Sequence, residues 1–191
     1  MSSSTMDTAL WAFGRGTGVI ALLLFTLSLV LGVVARSGRP LPGLGRVGVS
    51  DLHRTAALTG AALVVVHVVT LLLDPFSQLR IVDLVLPFLA AYRPIWLGLG
   101  TLALDLLLVV TLVSVVRGRV GPRLFRVVHW STYALWPMAM LHAWRAGSDG
   151  DTAWFHLLAL GCAGVVVVAV AWRLAPSFAG RGWDRHPRRT A

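Results

Sequence analysis

The chain has 191 residues, of which 57% are hydrophobic and only 13% are charged. Soluble domains carry about 25% charged residues, which makes a water-soluble globular enzyme a poor interpretation of this sequence. The net charge of +9 comes from 17 arginines against 8 aspartates. Because these arginines lie between apolar segments, they are typical of topology signals and lipid-headgroup contacts, and we expect no nucleic-acid binding.

Five stretches are apolar over the length of about 20 residues that a membrane-spanning helix requires. They cover residues 17–35, 51–73, 94–116, 124–144 and 153–174. A further apolar stretch near 81–92 is too short to cross, so we expect an interfacial or re-entrant segment there. The sequence therefore predicts an all-α integral membrane protein built as a five-span helical bundle. Its three parts are an N-terminal segment (1–16), a transmembrane domain (17–174) and a basic tail (175–191).

Arginine placement predicts the orientation of this bundle. Most arginines fall in the loops that follow the first and third predicted spans and in the tail. The positive-inside rule puts those regions in the cytoplasm. We therefore expect a multi-pass plasma-membrane protein with its N-terminus outside and its C-terminus inside.

Four of the six histidines lie in two predicted spans, His53 and His67 in the second and His129 and His142 in the fourth. These spans cross in the same direction, so His53 shares a depth with His129, and His67 shares one with His142. A helix rises about 1.5 Å per residue, which separates the two levels by roughly 20 Å. Ionisable groups inside a bilayer mark function by default, and neutral imidazole is a good axial ligand of haem iron. The pattern predicts two b-type haems, each held by one histidine from either span.

The angular positions fit less well than the depths. Fourteen residues bring His67 back to within about 40° of His53, whereas thirteen leave His142 about 140° from His129 on an ideal helix. Pro137 lies between the latter two, and we expect it to kink that helix. Histidines that merely form hydrogen bonds across helices are the alternative interpretation.

Three arginines lie near the expected haem levels, where propionates favour cations. Arg54 and Arg126 accompany the cytoplasmic pair, and Arg145 accompanies the outer pair. The positive-inside rule alone also explains the positions of these arginines. Two further residues stay open: Asp105 as a proton-handling group or a neutral acid bonded within the bundle, and His156 as a spare ligand, a quinone contact or an interfacial residue.

The histidine spacings resemble those of the ferric reductase-like transmembrane domain superfamily, which includes NADPH oxidases, ferric reductases and the haem-binding membrane subunit of the methionine sulfoxide reductase system. The likeness covers roughly residues 10–175 and extends to the segments LHRTAAL, LDPF, YRPIWLGLGTLALDLLL and VVHWSTYALWP. It implies a bis-histidine, two-haem path for electrons across the membrane.

The resemblance also implies a separate electron donor. Family oxidases append a flavin and nicotinamide domain after the last span, whereas only residues 175–191 follow here, so we expect no such domain in this chain. The expected function is a cytochrome b electron-transfer subunit that takes electrons from a flavoprotein or a quinol and delivers them to an extracytoplasmic acceptor. The alternatives are an outer-face ferric or oxygen reductase, a quinol-oxidising anchor, a haem sensor or store, and a haem-free scaffold or transporter.

Overall fold

A computed structural model of the protein describes residues 3–39 and 41–178. Helices connected by loops account for these residues, together with one isolated bridge between Leu41 and Leu44. The helices are α1 (Ser3–Ser37), α2 (Arg46–Leu73), α3 (Pro94–Val115), α4 (Pro122–Trp130), α5 (Thr132–Ala146) and α6 (Ala153–Leu174). The prediction of an all-α protein is confirmed.

Four of the helices are long and apolar enough to cross a membrane: Thr5–Ser37 within α1, and all of α2, α3 and α6. The predicted count of five crossings therefore stays a prediction for the α4–α5 region. Helix α1 begins at Ser3, so most of the predicted N-terminal segment 1–16 continues the first span as helix. The basic residues of the predicted tail lie outside the described residues.

The predicted fourth span is two consecutive helices that meet at Ser131. The Ser131 hydroxyl donates to the Val128 carbonyl at 2.6 Å, and the Thr132 hydroxyl donates to the His129 carbonyl at 2.8 Å. Such local bonds compete with the helical ladder. Pro137 lies inside α5, so the interruption at Ser131 is separate from the kink expected at Pro137, which stays a prediction. Proline lacks the N–H that would bond to the carbonyl four residues earlier, which weakens the ladder close to the break.

The apolar segment between α2 and α3 folds back against α3 without crossing. It contains a short 3-10 helix, Ile81–Leu84, and the hydroxyl of Thr101 on α3 donates to the Asp83 carbonyl at 2.7 Å. A side chain at Gly98 would strike Phe88, which shows how closely this loop lies on α3. The loop is thus a non-spanning segment packed on the start of α3.

Helix α1 is central and packs against α2, α5 and α6, while α3 packs mainly against α5. The buried core between α1, α5 and α6 consists of Leu22, Trp136, Met140, Phe155, Ala159, Cys162 and Val166. A hydrogen bond crosses this core, in which the Trp136 indole N–H of α5 donates to the Thr26 hydroxyl of α1 at 2.9 Å. Two antiparallel pairs, α1–α2 and α3–α5, are thereby fixed relative to each other.

Candidate functional site

The four histidines predicted as ligands form two pairs between α2 and the α4–α5 region. The ring centroids of His53 and His129 lie 6.0 Å apart, and those of His67 and His142 lie 6.5 Å apart. Within each pair the ring planes are close to perpendicular, at 79° and 86°. We call the two ends of the bundle the His53 end and the His67 end.

The break at Ser131 explains how both partners of α2 face the same way. On one ideal helix, thirteen residues would turn His142 about 140° away from His129. In the structure His129 belongs to the last turn of α4 and His142 to α5, so each helix sets its own rotation. Both histidines lie beside their partners on α2, so the angular conflict predicted for one ideal helix does not occur in the structure.

Helix α2 has its main packing partner in α1, and its backbone does not pack closely along α4 or α5. Only Val49, Ala56 and Gly60 are buried along its whole length. The histidine rings therefore reach across a space between helices that do not themselves pack together. Gly60 does not line this space, because it lies against the Phe25 ring of α1.

Carbonyls of α1 orient both histidines of α2. Nδ1 of His53 lies 2.8 Å from the Ser28 carbonyl oxygen, and Nδ1 of His67 lies 2.6 Å from the Gly14 carbonyl oxygen. Because a carbonyl oxygen only accepts, each Nδ1 must carry the proton and donate it. Nε2 of each ring is then the unprotonated nitrogen, which is the form that binds a metal.

His142 is held in the same way by α3. Its Nδ1 donates to the Trp96 carbonyl at 2.9 Å. A bond of this kind fixes the tautomer and the ring orientation of a metal-ligating histidine and raises its basicity. Three of the four histidines thus show the hydrogen bonding that is typical of metal ligands.

A glycine accompanies each of these three carbonyls, four residues further along the same helix. A Cβ at Gly18 would lie 2.9 Å from the His67 ring, one at Gly32 would lie 3.2 Å from the His53 ring, and one at Gly100 would lie 2.5 Å from the His142 ring. The missing side chain lets the edge of each imidazole formed by Nδ1 and Cε1 approach the backbone closely. We call each combination of a carbonyl and its glycine a histidine seat.

The glycines of the seats were not predicted as site residues, although the sequence contains a signal for two of them. Gly18 and Gly32 are fourteen residues apart on α1, the same spacing as His53 and His67 on α2. Two antiparallel helices with matching spacings bring both glycines opposite both histidines. The third seat, at Gly100, has no counterpart of this kind in the sequence.

His129 differs from the other three histidines. Its Nδ1 is buried and has no hydrogen-bond partner among the described residues. The ring instead stacks on Phe125 of α4, with centroids 5.3 Å apart and planes within 16° of each other. No seat is formed for this histidine.

The pairs fit a metal that lies between two imidazoles. Each metal–nitrogen bond is about 2.0 Å, so imidazoles on opposite sides of one metal have centroids about 6 Å apart. In the part of the chain that the structure describes, no three His, Cys, Asp or Glu side chains come together as a metal site. Two protein ligands are what a metal needs when a macrocycle supplies its equatorial ligands, as haem does.

Within the described chain, the side chains of the three predicted arginines form no hydrogen bond, ion pair or ring contact with the four histidines. Arg54 and Arg126 are exposed, and no ion pair or hydrogen bond engages either of them within the described chain. Arg145 is also exposed, and its guanidinium lies 5.3 Å from the centre of the Trp96 ring. A polar cleft at the His67 end is lined by Tyr92, Arg93, Trp96, Trp144 and Arg145, among others.

The two residues left open by the sequence lie away from the pairs. The His156 ring is 5.5 Å from the Trp144 ring, an aromatic contact at the start of α6. Asp105 is half-buried in the middle of α3 and has no side-chain partner among the described residues. Neither joins a histidine pair.

Comparison with known proteins identifies the family of the chain. Residues 17–140, more than half of the chain, match the family model described as ferric reductase like transmembrane component. Searches of curated proteins and of solved structures found no match. The resemblance inferred from the histidine spacings is confirmed, and with several membrane-spanning helices the chain is a multi-pass membrane protein. It belongs to the ferric reductase-like transmembrane family, which indicates an oxidoreductase component of membrane electron transfer.

Proposed function

We propose that the protein is a cytochrome b subunit that carries electrons across the plasma membrane through two haems. His53 and His129 hold one haem, and His67 and His142 hold the other. The single observation that carries the proposal is the pair of centroid separations, 6.0 and 6.5 Å, between rings on helices that do not pack together. Haem supplies the one-electron chemistry, while the chain sets ligation, burial and distance.

The chain's own residues orient the ligands. Carbonyls of Ser28, Gly14 and Trp96 accept the Nδ1 protons and so present Nε2 of their histidines toward the haem sites. Because His53 and His67 share one uninterrupted helix, about 21 Å of helix rise separates the two levels. That distance brings one level close to each membrane face.

The arginines near each histidine pair support the assignment of one haem to each end. Arg54 and Arg126 at the His53 end, and Arg145 at the His67 end, are cations without a carboxylate partner in the described chain. We assign them to haem propionates. By the positive-inside rule, the His53 end faces the cytoplasm and the His67 end faces outward.

Electrons enter at the cytoplasmic end from a separate flavoprotein, or from a membrane quinol, and leave at the outer end. The polar cleft beside Trp96 gives an extracytoplasmic acceptor a place to approach the His67 end. This cleft also favours a second candidate function, in which ferric iron or oxygen would be reduced at the His67 end.

Haem content tests the proposal. Purified protein in detergent should contain two haems per chain by the pyridine haemochrome assay, and both should be low-spin. The variant with all four histidines replaced by alanine should contain none, while His156→Ala should keep two. A reproducible haem content near zero in the native protein would support a haem-free scaffold or transporter.

Vesicles test whether electrons cross the membrane through the protein. Protein reconstituted with ferricyanide inside should be reduced by a reductant added outside, and electrons should then reach the trapped acceptor. Vesicles that contain the four-alanine variant are the control for leakage. Equal rates in the two preparations would contradict transmembrane electron transfer.

A further inference from the structure

The two histidine pairs are not equivalent. His67 and His142 both rest in a seat, with Nδ1 to carbonyl distances of 2.6 and 2.9 Å. At the other end only His53 has one, at 2.8 Å from the Ser28 carbonyl oxygen. His129 lacks both the carbonyl and the glycine, and its Nδ1 is a buried polar atom without a partner in the described chain.

The backbone that carries His129 is also the least anchored of the four. Helix α4 has nine residues, none of them buried, and it ends one residue after His129. By contrast, α2 is a continuous helix of 28 residues, and α5 contributes Leu135, Trp136 and Met140 to the buried interior. Stacking on Phe125 is the contact that orients the His129 ring.

These differences affect how strongly each imidazole binds a metal. A hydrogen bond from Nδ1 to a carbonyl makes the imidazole a stronger donor and restricts rotation of its ring. Stacking restricts the tilt of the ring but supplies no acceptor for the proton. His129 is therefore both the weaker donor and the more mobile of the two ligands at the His53 end.

We infer that His129 is the exchangeable axial ligand, an inference that rests on the haem function proposed above. At the His53 end, a small neutral ligand such as carbon monoxide displaces His129 and binds the haem on that side. In that exchange the bond between iron and Nε2 of His129 breaks, and a bond from the carbon of carbon monoxide replaces it without net electron transfer. At the His67 end both histidines rest in a seat, so neither is displaced and carbon monoxide does not bind.

Carbon monoxide binding to the dithionite-reduced, full-length protein tests this inference. We expect one carbon monoxide per two haems in the native protein, read from the difference spectrum against the haemochrome value. Joint replacement of His67 and His142 by alanine should leave one haem that still binds carbon monoxide. Joint replacement of His53 and His129 should leave one haem that does not.

A single substitution provides a second test in protein that keeps both haems. Phe125→Ala removes the stacking contact and should accelerate carbon monoxide binding by up to about tenfold, the range expected for one aromatic contact. Phe125→Tyr, which preserves the stacked ring, should bind at the native rate. Leu124→Ala, one residue away on an exposed position of α4, is the control for general loosening of the helix.

The outcomes separate the two proposals. Two haems per chain without any carbon monoxide binding would overturn the inference and leave the two-haem function intact. Binding that persists without the His53 pair and disappears without the His67 pair would also overturn it. Absence of haem from the native protein would instead reject the proposed function itself.

Discussion

The His67 ring on α2 lies 6.5 Å from the His142 ring on α5, with the two planes at 86°. Each ring donates its Nδ1 proton to a carbonyl of a different helix. His67 donates to the Gly14 carbonyl of α1, and His142 donates to the Trp96 carbonyl of α3. Four helices therefore determine one ligand pair. A change at His67, at His142 or at either of their two seats should therefore be detected at the haem of the His67 end.

The first prediction concerns this pairing. His67→Ala and His142→Ala should each remove or convert the centre at the His67 end, because bis-imidazole ligation gives low-spin iron and a missing ligand does not. His53→Ala and His129→Ala should spare that centre. Low-temperature EPR with a redox titration resolves the two centres. Damage to different centres by His67→Ala and His142→Ala would contradict the pairing.

The depth of each histidine was predictable because a helix converts residue number into distance along its axis at a fixed rise. His53, His67, His129 and His142 could thus be assigned to two levels before any contact was known. The break at Ser131 was not predictable in the same way. It depends on hydroxyl groups that bond to carbonyls within their own turn, and Ser and Thr also occur in uninterrupted membrane helices.

The histidine seats are a second feature that could not be predicted from the sequence. Backbone carbonyls are present at every residue, so nothing in the sequence marks Ser28 or Trp96 as acceptors for a histidine. Only the glycines carry a signal, and a glycine in a membrane helix is more often a packing residue, as Gly60 is against Phe25. The difference between His129 and its three counterparts is visible only in three dimensions.

The second prediction is the topology. With Cys162 replaced by alanine, a cysteine at Ser148 should react with an impermeant maleimide added outside intact cells, because arginine placement puts the α5–α6 loop outside. A cysteine at Gly118, in the arginine-rich loop after α3, should react only after the membrane is permeabilised. Both positions are exposed, so accessibility within the protein is matched. The reverse labelling pattern would exchange the two faces.

The third prediction concerns the ion pair that closes the loop between α2 and α3. The Arg80 guanidinium donates to both oxygens of Asp83, at 2.7 and 3.0 Å, and this hydrogen bonding lowers the pKa of the Asp83 carboxyl while burial opposes the shift. A carboxyl with a lowered pKa stabilises the fold above its ordinary pKa of about 4, and this stabilisation is lost as the pH falls through the lowered value.

Asp83→Asn should therefore lower the midpoint of thermal unfolding at pH 7 by roughly 2–4 °C, the shift expected for about 1 kcal/mol in a chain of this size. At a pH below the lowered pKa of Asp83 the variant and the native protein should unfold at nearly the same temperature. Loss of helical circular dichroism on heating reports the transition at both pH values. Asp151→Asn, at an exposed aspartate, is the matched control, and an equal effect of the two substitutions would argue against the ion pair.

The last prediction concerns the histidine seats, whose glycines are positioning residues. Replacement of Gly100, Gly18 or Gly32 by alanine should disturb the facing histidine, most strongly at Gly100 and least at Gly32. The added Cβ would lie 2.5, 2.9 and 3.2 Å from the ring, respectively. Each substitution weakens the bond from Nδ1 to its carbonyl. A loss of about 1 kcal/mol of hydrogen bonding to the oxidised centre should raise its midpoint potential by about 40 mV.

The position of each change identifies the seat. Gly100→Ala and Gly18→Ala should shift the EPR signal and the potential of the His67 end, and Gly32→Ala those of the His53 end. Gly16→Ala is the matched control, since it lies on the same helix two residues before Gly18 and has nothing within 4 Å of the added Cβ. Alanine there should leave both centres unchanged and stabilise α1 by up to about 1 kcal/mol through its higher helix propensity. If Gly16→Ala and Gly18→Ala gave the same spectra and potentials, the glycines would be ordinary packing residues and the seats would have no role in ligation.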